Sequence, residues 1–388
     1  MKTRTVLILI TLLCAAMASV LSAYTATIVV TNTNDSGPGS LRFALAVASD
    51  GDTIDATGVS GTILLTSGEL QINHNVTIKG PGAENLSVNG NAASIVFDNT
   101  AANVTISGLT ITNGHDTNGG TGGAIYNTGG LTLSDSIVSN SVASFGGGGI
   151  YGNEATLTVI NCTITSNSVT GVGGFGSGSG GGISSFGGTV TVINSTISNN
   201  KATCRGGGIN ATSAQLTVTN STISGNLSGG GSECEGGASA GGGIYFLGAT
   251  LTVTNSTISG NSAQSGGSLF NGSGTAQMGD TILNAGASDG TIANSGTFIS
   301  LGYNLASDNG GGVLTGPGDQ INTDPMLGPL QDNDGPTFTH ALLPGSPAID
   351  AGDPSFAPPP FFDQRGPGFR RVRHGRIDIG SFEVQRRP

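Results

Sequence analysis

Near-identical segments recur along the middle of this chain: LTVINCTITSN from Leu157, VTVINSTISNN from Val190, and LTVTNSTISGN from both Leu216 and Leu251. Including the weaker copies that open at Val104 and Leu131, successive starts are separated by 27, 26, 33, 26 and 35 residues. The two long intervals carry Gly-rich extras, within 169–182 and 227–243, so they read as loops inserted into a coil of constant length. A period in this range means a stack of supersecondary units, each burying its apolar face against its neighbours.

Within one coil, Leu216 and Val218 alternate with Thr217 and Thr219, the period-two pattern of a half-buried strand. Asn220 interrupts that strand, Ser221 and Ile223 return to the inside, and Ile244 follows a Gly-rich bend. Three short strands per turn predict an all-β fold, a single-stranded right-handed parallel β-helix. The hand follows from the general crossover preference. At ~4.8 Å per rung, the coils and their flanks would form a rod on the order of 50 Å long.

The two ends depart from the repeat. Lys2 and Arg4 precede an apolar run from Val6 to Met17 and then small residues, so 1–23 reads as an export signal, too short for a membrane span. Segment 24–60 holds the chain's best amphipathic helical stretch, Ser40 to Ala48, and is expected to cap the first rung, whose backbone would otherwise be open to pairing. Repeats are expected over 61–322. Segment 323–388 gains Pro, loses the period, and is expected to form an irregular cap over the last rungs.

Composition narrows the function classes. With the signal removed, 11 basic residues face 24 acidic ones, and seven of the full chain's 13 lie in the last 24 positions. An acidic body of that kind makes nucleic acid a poor partner. The remaining partners are a polysaccharide or a surface protein, with the chain expected as a secreted or cell-surface monomer.

Four Asn residues, Asn161, Asn194, Asn220 and Asn255, stand at equivalent bends, with Gly108, Asp135 and Asp280 aligned to them. A bend needs a residue tolerating left-handed geometry, and stacked amides can bond along the axis. They are therefore expected as an inner structural ladder rather than as glycan acceptors, although each begins an N-x-S/T triplet. Recurrent Gly runs such as Gly206-Gly207-Gly208 read as corners, and the match of Gly171, Gly173 and Gly176 to a dinucleotide fingerprint lacks the helix that chemistry needs.

Stacking would bring the corner of Lys201, Cys204 and Arg205 to the insertion carrying Glu233, Cys234 and Glu235. A Cys204–Cys234 disulfide is expected, with Cys162 buried and free where other coils have Ser; three independent thiols are the alternative. Tyr126, Tyr151, Tyr245 and Phe270 each follow an inward Ile or Leu and should point outward, forming short aromatic stacks that either bind a ligand or simply brace the coils.

Catalysis finds less support. Between Val104 and Thr275 the acids are Asp116, Asp135, Glu154, Glu233 and Glu235, without an Asp-Asp pair, whereas glycoside cleavage needs carboxylates clustered on one face. His74, His115, His340 and His374 lack metal-site spacing, so neither metal nor cofactor is expected.

Three stretches carry resemblances. Gly122-Gly123-Ala124-Ile125, with Ile164-x-x-Asn167, Ile197-x-x-Asn200 and Ile223-x-x-Asn226, is similar to the GGAI and FxxN signatures of polymorphic outer membrane protein repeats, with Ile for Phe. DSGPGSLRFALAVASDGDTI from Asp35 resembles the CSLREAI-type N-terminal module of bacterial secreted β-helix proteins. DPMLGPLQDNDGPTFTHALLPGSPAIDAG, followed by DQRG and DIGSFE, resembles the choice-of-anchor domain of type Q. Together they imply a bacterial extracellular or outer-membrane-associated β-helix protein of the pectin lyase-like kind without an assigned reaction, expected as a non-catalytic adhesin or interaction module or as a structural stalk or matrix component. The rival expectation is an extracellular polysaccharide lyase or glycoside hydrolase.

Overall fold

The computed structural model describes residues 25–385 apart from 117–119, 172–177, 230–233, 235–238 and 288–289. The stretch expected to act as an export signal (1–23), Gly173, Gly176, Glu233, Glu235, Arg386 and Arg387 lie outside the described residues.

The alternation of Leu and Val with Thr produces the strands the period demands, and the chain winds as a right-handed parallel β-helix. A middle coil runs Ile183–Phe186, Thr189–Ile193, Thr196–Ser198 and Lys201–Ala202 before Ile209–Thr212 opens the next. Three long ladders therefore run the length of the rod. The ladder containing Thr196–Ser198 has ten strands, which sets ten turns. A fourth, two-residue strand joins only in the middle coils, a ladder of four beyond the three strands per turn expected from the sequence.

Register is kept residue for residue: Leu131, Leu157, Val190, Leu216 and Leu251 align, as do Leu133, Val159, Val192, Val218 and Val253. A slip by one would turn every apolar side chain outward, so the two-residue alternation fixes the stacking. One core fills the coils, running from Val30 to Leu314, and a second, smaller one of Ile282, Leu305, Leu342, Ala348 and Ile379 joins the last coils to the C-terminal segment.

At the N-terminus, α1 (Leu41–Val47) inserts Leu41, Ala44 and Leu45 into the first rung. Ser40 is its N-cap, its Oγ accepting from the Phe43 amide at 3.1 Å. Arg42 ties the helix down, donating to Asp35 Oδ1 at 2.7 Å and to the carbonyls of Gly68 and Glu69, both at 2.6 Å. Burial alone would raise the Asp35 carboxyl, but hydrogen bonds from Arg42, Ser67 and Thr66 outweigh it and lower its pKa to about 2.

The C-terminal segment differs from expectation. The far end of the rod is closed by residues 309–320, where Leu314 enters the core, Val313 packs on it and Gln320 bridges to Leu305. Residues beyond about 323 instead turn back along the flank and lie over the Thr/Ser-bearing ladder. Gln364 and Thr222 share a 2.6 Å hydrogen bond, Thr196 donates to the Phe338 carbonyl, the Ser381 amide donates to Thr257, and the Asp353 amide donates to Asp280. The hydroxyl face that looks solvent-directed in sequence is consequently buried at Thr196, Thr222 and Thr257.

Charged groups hold this clasp together. Arg365 grips Asp363 at 2.6 Å, and fully buried Arg371 donates to Asn255 Oδ1 and to the Asp378 and Gly380 carbonyls. Burial pushes the Glu383 carboxyl up to about 9 and Asp280 up to about 6. Most of these residues belong to the DQRG and DIGSFE stretches. His340 bonds through both ring nitrogens, to Ser224 Oγ at 2.9 Å and to the Gly328 carbonyl at 2.7 Å, and burial lowers its pKa.

Candidate functional site

The bend positions take the left-handed geometry their role requires: φ lies between 48° and 53° at Asp135, Asn161, Asn194, Asn220, Asn255 and Asp280. They form an outer corner, not an inner ladder. Amide bonds join Asn161 to Asp135 at 3.2 Å and Asn220 to Asn194 at 2.7 Å, while Asn220 and Asn255 are buried only because the C-terminal segment covers them.

The inner ladder uses other residues. Asn167, Asn200, Asn226 and Asn261 stack in the core, their amides linked Nδ2 to Oδ1 at 3.0, 3.0 and 2.9 Å. Each Nδ2 also donates to a carbonyl of the preceding coil, those of Val138, Ile164, Ile197 and Ile223. A buried Ser row runs beside it, and Cys162 occupies one of its places, its thiol pushed up to about 12 by burial and therefore inert. Both rows use their polar atoms on the coils themselves.

Cys204 and Cys234 are joined by a disulfide with Cα atoms 5.4 Å apart, which ties the long insertion to the corner carrying Arg205. At that corner Gly206 has φ 62°, and a Cβ on Gly207 would lie 2.5 Å from the Gly242 carbonyl, so coils can stack this closely only without side chains there.

One outward column of the rod collects the groups left for recognition. In register along it stand Gln71, Asp98, Tyr126, Tyr151, Ser184, Asn210, Tyr245 and Phe270. Tyr126 and Tyr151 stack with centroids 5.8 Å apart, and Tyr245 and Phe270 at 5.2 Å. Tyr245 is only 6% exposed, because Phe270 covers one face and the Arg205 guanidinium the other at 5.3 Å, so the second stack is not the open ledge expected.

Between the stacks, where the column carries Ser184 and Asn210, lies a cavity of about 330 Å³. Tyr151, Arg205, Phe145 and Phe186 wall it, and Asn210 forms part of its lining. Asn210 donates from Nδ2 to Ser184 Oγ at 3.1 Å, yet its buried Oδ1 has no partner.

At the other end of the column, ahead of Val104 where the recurring coils begin, lies a short acidic chain that the repeat pattern does not signal. Gln71 donates to Glu69 Oε1 at 3.1 Å and also hydrogen-bonds the Asp98 side chain. Burial raises the Asp98 pKa, with Glu69 adding to the rise. Among the described residues no group of three His, Cys, Asp or Glu side chains is placed to hold a metal ion.

No protein-family model matches the chain, and no curated protein sequence does. Its structure is similar to the crystal structure of pectate lyase Pel9A, covering 93% of this chain and 97% of that one at a TM-score of 0.55 and 14% identity. A much weaker similarity, TM-score 0.30 at 15% identity over 72% of this chain and 68% of the other, is to the catalytic unit of a thermostable GH87 α-1,3-glucanase from Streptomyces thermodiastaticus. The first likeness shows the fold. Among the described residues no helix is long and apolar enough to cross a membrane.

Proposed function

We propose that this protein binds a polysaccharide outside the cell through the column running from Asp98 to Phe270. The observation that carries this reading is the aromatic-walled cavity with a buried acceptor lacking a protein partner. Aromatic faces offer rigid apolar surface to the C–H faces of sugar rings, and a few fixed polar groups set orientation. The export signal at 1–23 and the resemblance of both ends to bacterial surface modules support an extracellular setting. That a pectate lyase shares the fold supports polysaccharide as the ligand class.

A second reading, polysaccharide cleavage, is favoured by Asp98. A carboxyl raised by burial beside a second carboxylate is the arrangement of a general acid. One screen separates the two: the purified protein is mixed with acidic and neutral polysaccharides, and binding is recorded together with release of reducing or unsaturated ends. Retention without new ends is the expected result. Turnover lost in Asp98→Asn would establish the enzyme, and neither binding nor turnover would sink both readings.

A further inference from the structure

The cavity between the stacks has a definite shape along the rod axis. Tyr151 and Tyr245 stand three rungs apart, through Ser184 and Asn210, which places their rings ~14 Å from one another. Tyr126 covers the far face of Tyr151 and Phe270 the far face of Tyr245. Arg205 therefore sits on the cavity side of Tyr245, 5.3 Å from its centroid, and its guanidinium becomes the floor. Subtracting that distance leaves ~9 Å between the Tyr151 ring and the guanidinium plane.

A flat aromatic ring touching both faces at ~3.5–4.0 Å would fill only ~7–8 Å. A single ring of either kind fits the gap, and the polar back wall together with the polysaccharide reading favours a hydroxylated one. The cavity volume of about 330 Å³ lies at the small end of small-molecule sites, ~300–1,000 Å³, which suits a ring or a pair of rings rather than a long chain. Its back wall supplies the polar contact. Asn210 is 6% exposed, its Nδ2 is engaged by Ser184, and its Oδ1 can only accept. An acceptor sealed in without a partner is destabilising, so a small turn of the Asn210 side chain toward a ligand hydroxyl would be favoured.

We propose that the cavity is a subsite for a single pyranose ring, sandwiched between Tyr151 and Arg205, with a ring hydroxyl donating to Asn210 Oδ1. The subsite rests on the polysaccharide reading and gives it an address. Recognition by one ring in so short a notch favours a chain end or a branch.

Ser184→Phe and Asn210→Leu test it. The first places a ring next to Tyr151 in register, extending the stack into the cavity; the second removes the acceptor while keeping a buried side chain of similar size. Calorimetric titration of the full-length protein with cellohexaose, laminarihexaose and hexagalacturonate reads the affinity, and thermal unfolding confirms that both variants are folded. The expected result is binding of at least one oligosaccharide by the parent protein, lost by more than tenfold in each folded variant. Binding that persists unchanged in both variants overturns the subsite and leaves the polysaccharide reading standing. Binding of N-acetyltyrosinamide in place of any oligosaccharide overturns the pyranose assignment. No binding of any probe removes the subsite together with the reading beneath it.

Discussion

The coiled body and the C-terminal clasp bury polar groups by opposite strategies. In the body, four successive coils repeat the same bonds to their neighbours: Asn200 to Asn226 and Asn226 to Asn261 are copies of one contact. In the clasp, Arg371, Asp378, Glu383 and Gln364 each make contacts found once. Repetition spreads stability over many equivalent interactions, while a one-off network concentrates it in single residues whose removal strands a buried charge.

The sharpest way to break this contrast is Arg371→Met. Loss of its donors, which leaves Asn255 Oδ1 and the Asp378 and Gly380 carbonyls as three unpaired buried acceptors, is expected to cost the clasp ~3–5 kcal/mol in all, seen as proteolytic release of residues beyond about 323 while the far-UV signal of the coils persists. Coils and clasp unfolding together at the parent midpoint would show that the two regions do not differ in this way.

Titration should separate the regions as well. Glu383 is raised from its ordinary 4.5 to about 9, so its contribution is complete below 4.5 and lost as pH rises through about 9; for Asp280 the window runs from 3.8 to about 6. Asp35 is lowered from 3.8 to about 2, so the N-terminal cap has that contribution above 3.8 and loses it as pH falls through about 2. Hydrogen exchange is expected to show the clasp loosening first in alkali and the cap first in acid. The reverse order would contradict the assigned shifts.

Cys204→Ser opens a link spanning 30 residues, for which chain entropy sets a ceiling of ~3.5 kcal/mol. Because the bond ties an insertion and not a coil, the effect should be faster cleavage between Ser228 and Ser239 with little change in the unfolding of the body. Asn226→Ala should have the smallest effect, ~2 kcal/mol in denaturant unfolding, since it unpairs Asn200 and the Ile197 carbonyl inside the ladder. A cost below a few tenths would mean that water enters and replaces the amide.

The coils were legible because strand alternation and coil length are both periodic, and period is what a sequence displays most directly. The inner ladder is less legible because two Asn residues recur in each of four coils. Either could face inward by spacing alone; Asn194 sits at the bend, while Asn200, in the Ile-x-x-Asn signature, is the residue that points into the core. Burial of the Thr196, Thr222 and Thr257 face was not legible, since its partners lie more than 120 positions away and have no period. The cavity escaped notice for a related reason: it exists where the aromatic column is interrupted, at Ser184 and Asn210.

The clasp also alters how the rod comes apart. Stacked coils touching only their neighbours would peel from an end one at a time, each step costing a single interface. The C-terminal segment bonds Thr196, Thr222, Thr257 and Asp280, which belong to four consecutive coils. Those coils cannot separate singly while it is seated. A structure built from independent rungs thereby gains an all-or-none section, which closes only when the segment beyond about 323 is seated across all four coils.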